Sequence, residues 1–120
     1  MKINIYYGGR GLVDDPTILV INKIQEVLDE LNVNVNRYNL YEMKNTITTL
    51  SQTVTEADGI ILATTVEWVG MGGYMQTFLD SCWLYSDKSQ ILDKYMFPVV
   101  MARTYGEREV TLALNNSWEI

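Results

Sequence analysis

Asp58-Gly59-Ile60-Ile61-Leu62-Ala63-Thr64-Thr65-Val66-Glu67-Trp68-Val69-Gly70-Met71-Gly72-Gly73 opens a segment that runs on to Trp83. The apolar run from Gly59 to Ala63 is too short for a typical helix and is rich in β-branched residues. A run of that kind reads as a strand buried on both faces, as in the middle of a parallel sheet. Thr64 to Gly73 follows as a glycine-rich loop carrying Trp68. From Tyr74 to Tyr85 the spacing turns helical, with Met75, Phe78, Leu79, Cys82 and Trp83 on one face. Strand, glycine-rich loop and helix make half of a βαβ unit. Ligands of open α/β sheets sit in the crevice beyond the carboxyl ends of the strands, so Thr64–Gly73 would form the floor of a site.

Working outward, Lys2 to Tyr7 reads as a first strand, broken by Gly8-Gly9-Arg10-Gly11. Asp14-Asp15-Pro16-Thr17 marks a helix start: Asp15 can cap the first amides, and Pro16 suits the first helical position, where its missing N–H goes unused. Ile21, Ile24, Leu28 and Leu31 then share one helical face, widened by Leu19, Val20 and Val27, and Asn32 is placed to stop the helix in the left-handed conformation. Val33 to Leu40 alternates as an edge strand. Tyr41 to Thr46 is connecting chain. Ile47, Leu50, Val54 and Ala57 are helix-spaced among threonines, which predicts a short or frayed helix. Beyond the central unit come a connection at Asp87–Leu92, a fourth strand at Met96–Ala102 with Pro98 at its start, and a last helix from Glu107 to Trp118. Val110, Ala113, Leu114 and Trp118 form its apolar positions. The order β-α-β-α-β-α-β-α predicts a parallel, doubly wound α/β sheet with right-handed crossovers and helices on both faces.

The chain of 120 residues reads as one domain, 1–120. No window approaches the ~20 apolar residues of a membrane span, and Met1-Lys2 runs straight into a strand without a leader, so a cytoplasmic location is expected. The single cysteine, Cys82, excludes an internal disulfide and a cysteine-cluster metal site. The absence of histidine removes Ser-His catalysis and histidine-ligated zinc. A formal net charge of −6 argues against phosphate-driven nucleic-acid binding.

Three loops leave the carboxyl ends of strands one, three and four: Gly8–Thr17, Thr64–Gly73 and Thr104–Glu107. The first precedes a helix N-terminus, whose amides and dipole suit an anion. Arg10 adds a bidentate donor and Thr17 a hydroxyl, as for a phosphate monoester. Asp14 and Asp15 are anionic there and count against that use, and a plain tight turn is the competing reading. The glycine spacing matches neither a P-loop nor the dinucleotide fingerprint. Trp68 and Tyr105 could meet as an aromatic clamp on a planar heterocycle, or could each cap the core. Glu67 is either a ligand contact or a solvated loop residue.

Ala57-Asp58-Gly59 through Thr64, Val66-x-Trp68, and Gly73 through Phe78-Leu79-Asp80 resemble the flavodoxin-like NADPH-dependent FMN reductases. The Gly-x-Arg turn after strand one and Thr104-Tyr105-Gly106 are similarly placed. The resemblance implies a flavodoxin-like sheet of order 2-1-3-4 and FMN at the strand carboxyl ends. It also implies hydride transfer from NAD(P)H to the flavin and on to a small-molecule acceptor, with no catalytic side chain and no metal. Gly9, Arg10 and Thr17 would hold the phosphate. Thr65, Val66, Glu67 and Trp68 would line the isoalloxazine, and Thr104, Tyr105 and Gly106 its other edge. Thr65 stands where the family has Pro, and Glu67 where it has Tyr. The family's fifth strand and last helix do not follow Ile120, which implies a C-terminally shortened member whose fourth strand is an open edge, and hence a homodimer or higher oligomer. The alternatives are a flavin-free interaction module on the same fold and a one-electron flavodoxin carrier.

Overall fold

The computed structural model describes residues 1–12, 14–43, 45–66, 72–85, 89, 94–102 and 106–118. In chain order these form β1 (Lys2–Tyr7), α1 (Pro16–Glu30), β2 (Asn34–Asn39) and α2 (Ile47–Leu50), which runs on into a 3₁₀ segment (Ser51–Glu56). β3 (Gly59–Thr65), α3 (Gly73–Tyr85), β4 (Tyr95–Met101) and α4 (Glu107–Trp118) follow. The strands make one parallel sheet of order β2-β1-β3-β4, the flavodoxin-like arrangement expected. β2 and β4 are its edges among the described residues, and β1 and β3 lie between them.

Alternation along the inner strands divides the core into two layers. Tyr6, Ile60 and Leu62 meet Ile47, Leu50, Val54, Met75, Phe78, Leu79, Cys82, Val110 and Leu114 on one face. Ile5, Tyr7, Ile61, Ala63 and Val99 meet Ile21 of α1 on the other. A continuous apolar strand such as Gly59–Ala63 is what this double coverage requires. Burial pushes the Cys82 thiol up to about 12. Trp83, expected in the core, packs against it while remaining half-buried.

Helix α1 begins and ends as its sequence dictates. Asp15 caps it by accepting from the Thr17 N–H, with Pro16 at the first position. Asn32 adopts φ 60°, and the Val33 N–H donates to the Leu28 carbonyl at 3.0 Å, closing the last turn. Its buried stripe is narrower than expected: Leu19, Val27 and Leu31 are exposed, while Ile18, Ile24 and Leu28 are half-buried around Ile21. In α4, Val110 and Leu114 are buried and Ala113 is exposed; the Trp118 side chain lies outside the described residues.

The second predicted helix divides into α2 and the 3₁₀ segment. Thr49, Thr53 and Thr55 each donate a hydroxyl to the carbonyl three residues back, at 2.7, 2.6 and 2.9 Å. Such back-bonding competes with a regular α-helical ladder. Ile47, Leu50, Val54 and Ala57 are nonetheless all buried.

Two expectations are corrected. β3 does not end at Ala63 but continues through Thr65, because Thr64 and Thr65 pair with Val100 and Met101 of β4. Pro98 lies in the middle of β4, opposite Leu62, and is tolerated there because an edge strand leaves one row of amides unpaired in any case. Apart from Ser89, the connection at Asp87–Leu92 lies outside the described residues. No described helix is long and apolar enough to cross a membrane.

Candidate functional site at the carboxyl edge of the sheet

The chain leaves β1 toward α1 and β2 on one side, while β3 pairs with β1 on the other. The carboxyl ends of β1 and β3 therefore flank the point where the sheet order reverses, where ligands of doubly wound folds bind. The β1–α1 loop crosses this point. It is fastened below by the Gly8 N–H to the Ala63 carbonyl, 2.8 Å, and β1 is tied to the start of the β2–α2 connection by the Leu40 N–H to the Tyr7 carbonyl, 2.9 Å.

The inside of the loop is filled by two side chains of the protein itself. Tyr7 is the last residue of β1, and its ring is fully buried against the α1 face of the sheet. A buried phenol needs a polar partner for its hydroxyl, and here it donates to Asp15 Oδ2. The Gly11 N–H donates to the same hydroxyl at 3.2 Å. Asp15 is 4% exposed. Its Oδ1 accepts from the Thr17 N–H at 2.9 Å and from Thr65 Oγ1 at 2.5 Å. Thr17 Oγ1 lies 2.7 Å from Thr65 Oγ1 and 3.1 Å from the Thr64 carbonyl oxygen. The end of β3 is thus bound to the first turn of α1. Burial first, and then the hydrogen bond and charge of Asp15, hold the Tyr7 phenol well above its ordinary value of 10.0.

This arrangement explains the glycines. A Cβ on Gly9 would strike the Tyr7 hydroxyl and sit 2.8 Å from Asp15 Oδ2. Gly11 has φ +75°, and a Cβ there would enter the Tyr41 ring. That ring stands edge-on to Tyr7, with centroids 5.7 Å apart and planes at 87°.

Of the residues expected to hold a phosphate, Gly9 is buried, Arg10 is exposed, and Thr17 is buried with its hydroxyl engaged toward β3. Thr65, expected beside a ring system, directs its hydroxyl to Asp15 instead. Val66 is half-buried against the core and continues the β3–β4 pairing through its N–H to the Met101 carbonyl, 2.9 Å. Gly106 is buried with φ +106° at the start of α4. Glu67, Trp68, Thr104 and Tyr105 lie outside the described residues. The sequence reading missed Tyr7 altogether. The available signal was a tyrosine at the carboxyl end of a buried strand, whose hydroxyl must find a partner near the sheet edge.

A phosphate does not fit this loop as it is arranged. The α1 amide at Thr17 and the Thr65 hydroxyl already serve a buried carboxylate. Each unit of negative charge brought within ~4 Å of that carboxylate would cost on the order of 4 kcal/mol at an effective dielectric near 20.

Residues 18–120 match the model of a family described as NADPH-dependent FMN reductase; the match begins in the first turn of α1. Comparison with curated proteins finds no match. Among solved structures, RosB with the bound intermediate OHC-RP (8-demethyl-8-formylriboflavin-5'-phosphate) superposes with a TM-score of 0.80 at 13% identity, over 98% of this chain and 58% of RosB. The apo form of the NADH:FMN oxidoreductase EMOB gives 0.75 at 14% identity, over 98% of this chain and 67% of that one. An FMN-dependent NADH-azoreductase from Bacillus anthracis str. Ames Ancestor, in complex with FMN, gives 0.75 at 10% identity, over 100% and 83%. At these identities the likeness shows the fold, and the chain spans little more than half the length of RosB.

Proposed function

Because the chain belongs to the NADPH-dependent FMN reductase family, we propose that it is a flavin-dependent oxidoreductase, taking hydride from NAD(P)H and passing electrons to a small-molecule acceptor. The observation that carries this reading is the family match over residues 18–120, which includes the whole β3–α3 unit. The sheet supports it: β1 and β3 end side by side at the order reversal, where a planar ring system finds its crevice. FMN is the flavin that the family description names. Thr65, Val66, Glu67 and Trp68 are the residues proposed for its ring end, with Thr104, Tyr105 and Gly106 opposite. The flavin, when bound, supplies the redox chemistry itself, and the protein supplies binding and orientation. With no histidine in the sequence, no imidazole relay takes part in proton movement. The chain's described contribution is rigidity. Thr17, Thr64 and Thr65 lock the floor of the crevice to α1.

The test is retention of flavin after desalting, followed by anaerobic addition of NADH or NADPH. A retained visible flavin band that bleaches with either nucleotide supports the proposal. The filled β1–α1 loop favours a second reading, a flavin-free interaction module, and protein that retains neither FMN nor riboflavin would overturn the flavin reading in its favour.

A further inference from the structure

The loop that leads into α1 is built around its own anion. Three donors converge on the Asp15 carboxylate: the Tyr7 hydroxyl, the Thr65 hydroxyl and the Thr17 N–H. The carboxylate is withdrawn from solvent, and Gly9 is bare on the side facing it, where a Cβ would sit 2.8 Å from Oδ2. These are the groups that a phosphate at this helix N-terminus would call upon. Resting on the flavin reading above, we propose that Asp15 is a specificity-determining residue that takes the place of the cofactor's terminal phosphate. The flavin selected is then one whose ribityl chain ends in a hydroxyl, riboflavin, rather than FMN.

A dianionic phosphate would be repelled by a carboxylate that cannot swing into water without breaking its bonds to Tyr7, Thr17 and Thr65. A neutral hydroxyl brings no charge to that region, and it can donate a hydrogen bond to an anion or accept one from a neighbouring amide. Thr65, proposed for the ring end, reaches Asp15 through its hydroxyl, so the carboxylate is tied directly to that end of the crevice.

Asp15→Asn separates the effect of charge from that of shape. Asparagine caps a helix about as well as aspartate, and its amide oxygen can still accept from Thr17 and Thr65. The experiment measures dissociation constants of riboflavin and FMN for the wild type and Asp15→Asn by quenching of flavin fluorescence, with circular dichroism confirming that both are folded. The expected result is a wild type that binds riboflavin at least as tightly as FMN. In Asp15→Asn the affinity ratio should shift toward FMN by about tenfold, with riboflavin binding little changed. A wild-type preference for FMN, or a ratio unmoved by Asp15→Asn, overturns the assignment of Asp15 while leaving the flavin reading intact. Binding of neither flavin by either protein overturns both.

Discussion

The Tyr7–Asp15 contact joins the end of a strand to the cap of a helix, and burial makes the Tyr7 phenol sensitive to alkali in a calculable direction. Tyr6 and Tyr7 are fully buried, and burial raises both phenols above the 10.0 they would have in an unfolded chain. Above that pH the folded protein holds more protons than the unfolded one, so the stabilisation is complete below pH 10 and is lost progressively as the pH rises further. Urea unfolding at pH ~8 and ~11 should show a steep loss of stability in the wild type and a shallower one in a Tyr6→Phe/Tyr7→Phe variant. Equal losses in the two proteins would contradict the assigned burial of these hydroxyls. At this scale the sequence was legible where chemistry is local. Asp15 before Pro16 announces a cap, and Asn32 announces a left-handed stop. The hydroxyl of Tyr7 was not legible, because its partner lies across a turn whose path depends on Gly9 and Gly11 fitting around Tyr7 and Tyr41.

Among the elements, α3 packs against α2 and the 3₁₀ segment and carries Phe78 onto the sheet. Phe78 is fully buried, and its ring stacks on Tyr6 of β1 with centroids 4.4 Å apart; Tyr6 in turn stacks on Tyr38 of β2 at 5.2 Å. Removing the ring opens a cavity between α3 and β1. Phe78→Ala should cost about 3–5 kcal/mol of unfolding free energy, measured by chemical denaturation. A cost below about 1 kcal/mol would mean that this stack does not exist in solution. The apolar spacing of Met75, Phe78, Leu79 and Cys82 made this face legible in advance, since all are buried. Spacing failed where coverage is partial. Leu31 and Ala113 sit at positions that a uniform stripe would bury, yet both are exposed, since periodicity identifies a face but not how far the neighbouring element extends beneath it. It failed also at Thr64 and Thr65, placed at the start of the glycine-rich loop although their β-branched chains suit the pairing with β4 that they make.

Over the whole molecule the asymmetry lies at β4. This edge strand presents Tyr95 and Phe97 at 83% and 63% exposure, on the side of the sheet where Val99 joins α1's core layer. Exposed apolar residues on a strand that is an edge among the described residues invite another strand or another chain. We propose that a second copy of this chain covers them. Light scattering during size exclusion should give a dimer or higher oligomer, reduced to monomer by Phe97→Lys. A wild type that elutes as a clean monomer would contradict self-association. The fold class was legible from the alternation of elements alone. The filled anion position at the sheet's carboxyl edge was not, since it depends on three elements meeting. The measurement that bears most directly on the flavin proposal is the visible absorption spectrum of the purified protein after incubation with riboflavin or FMN and desalting, before and after anaerobic NADPH or NADH. The expected result is a retained flavin band that bleaches on addition of the nucleotide; protein that emerges colourless from both flavins would contradict it.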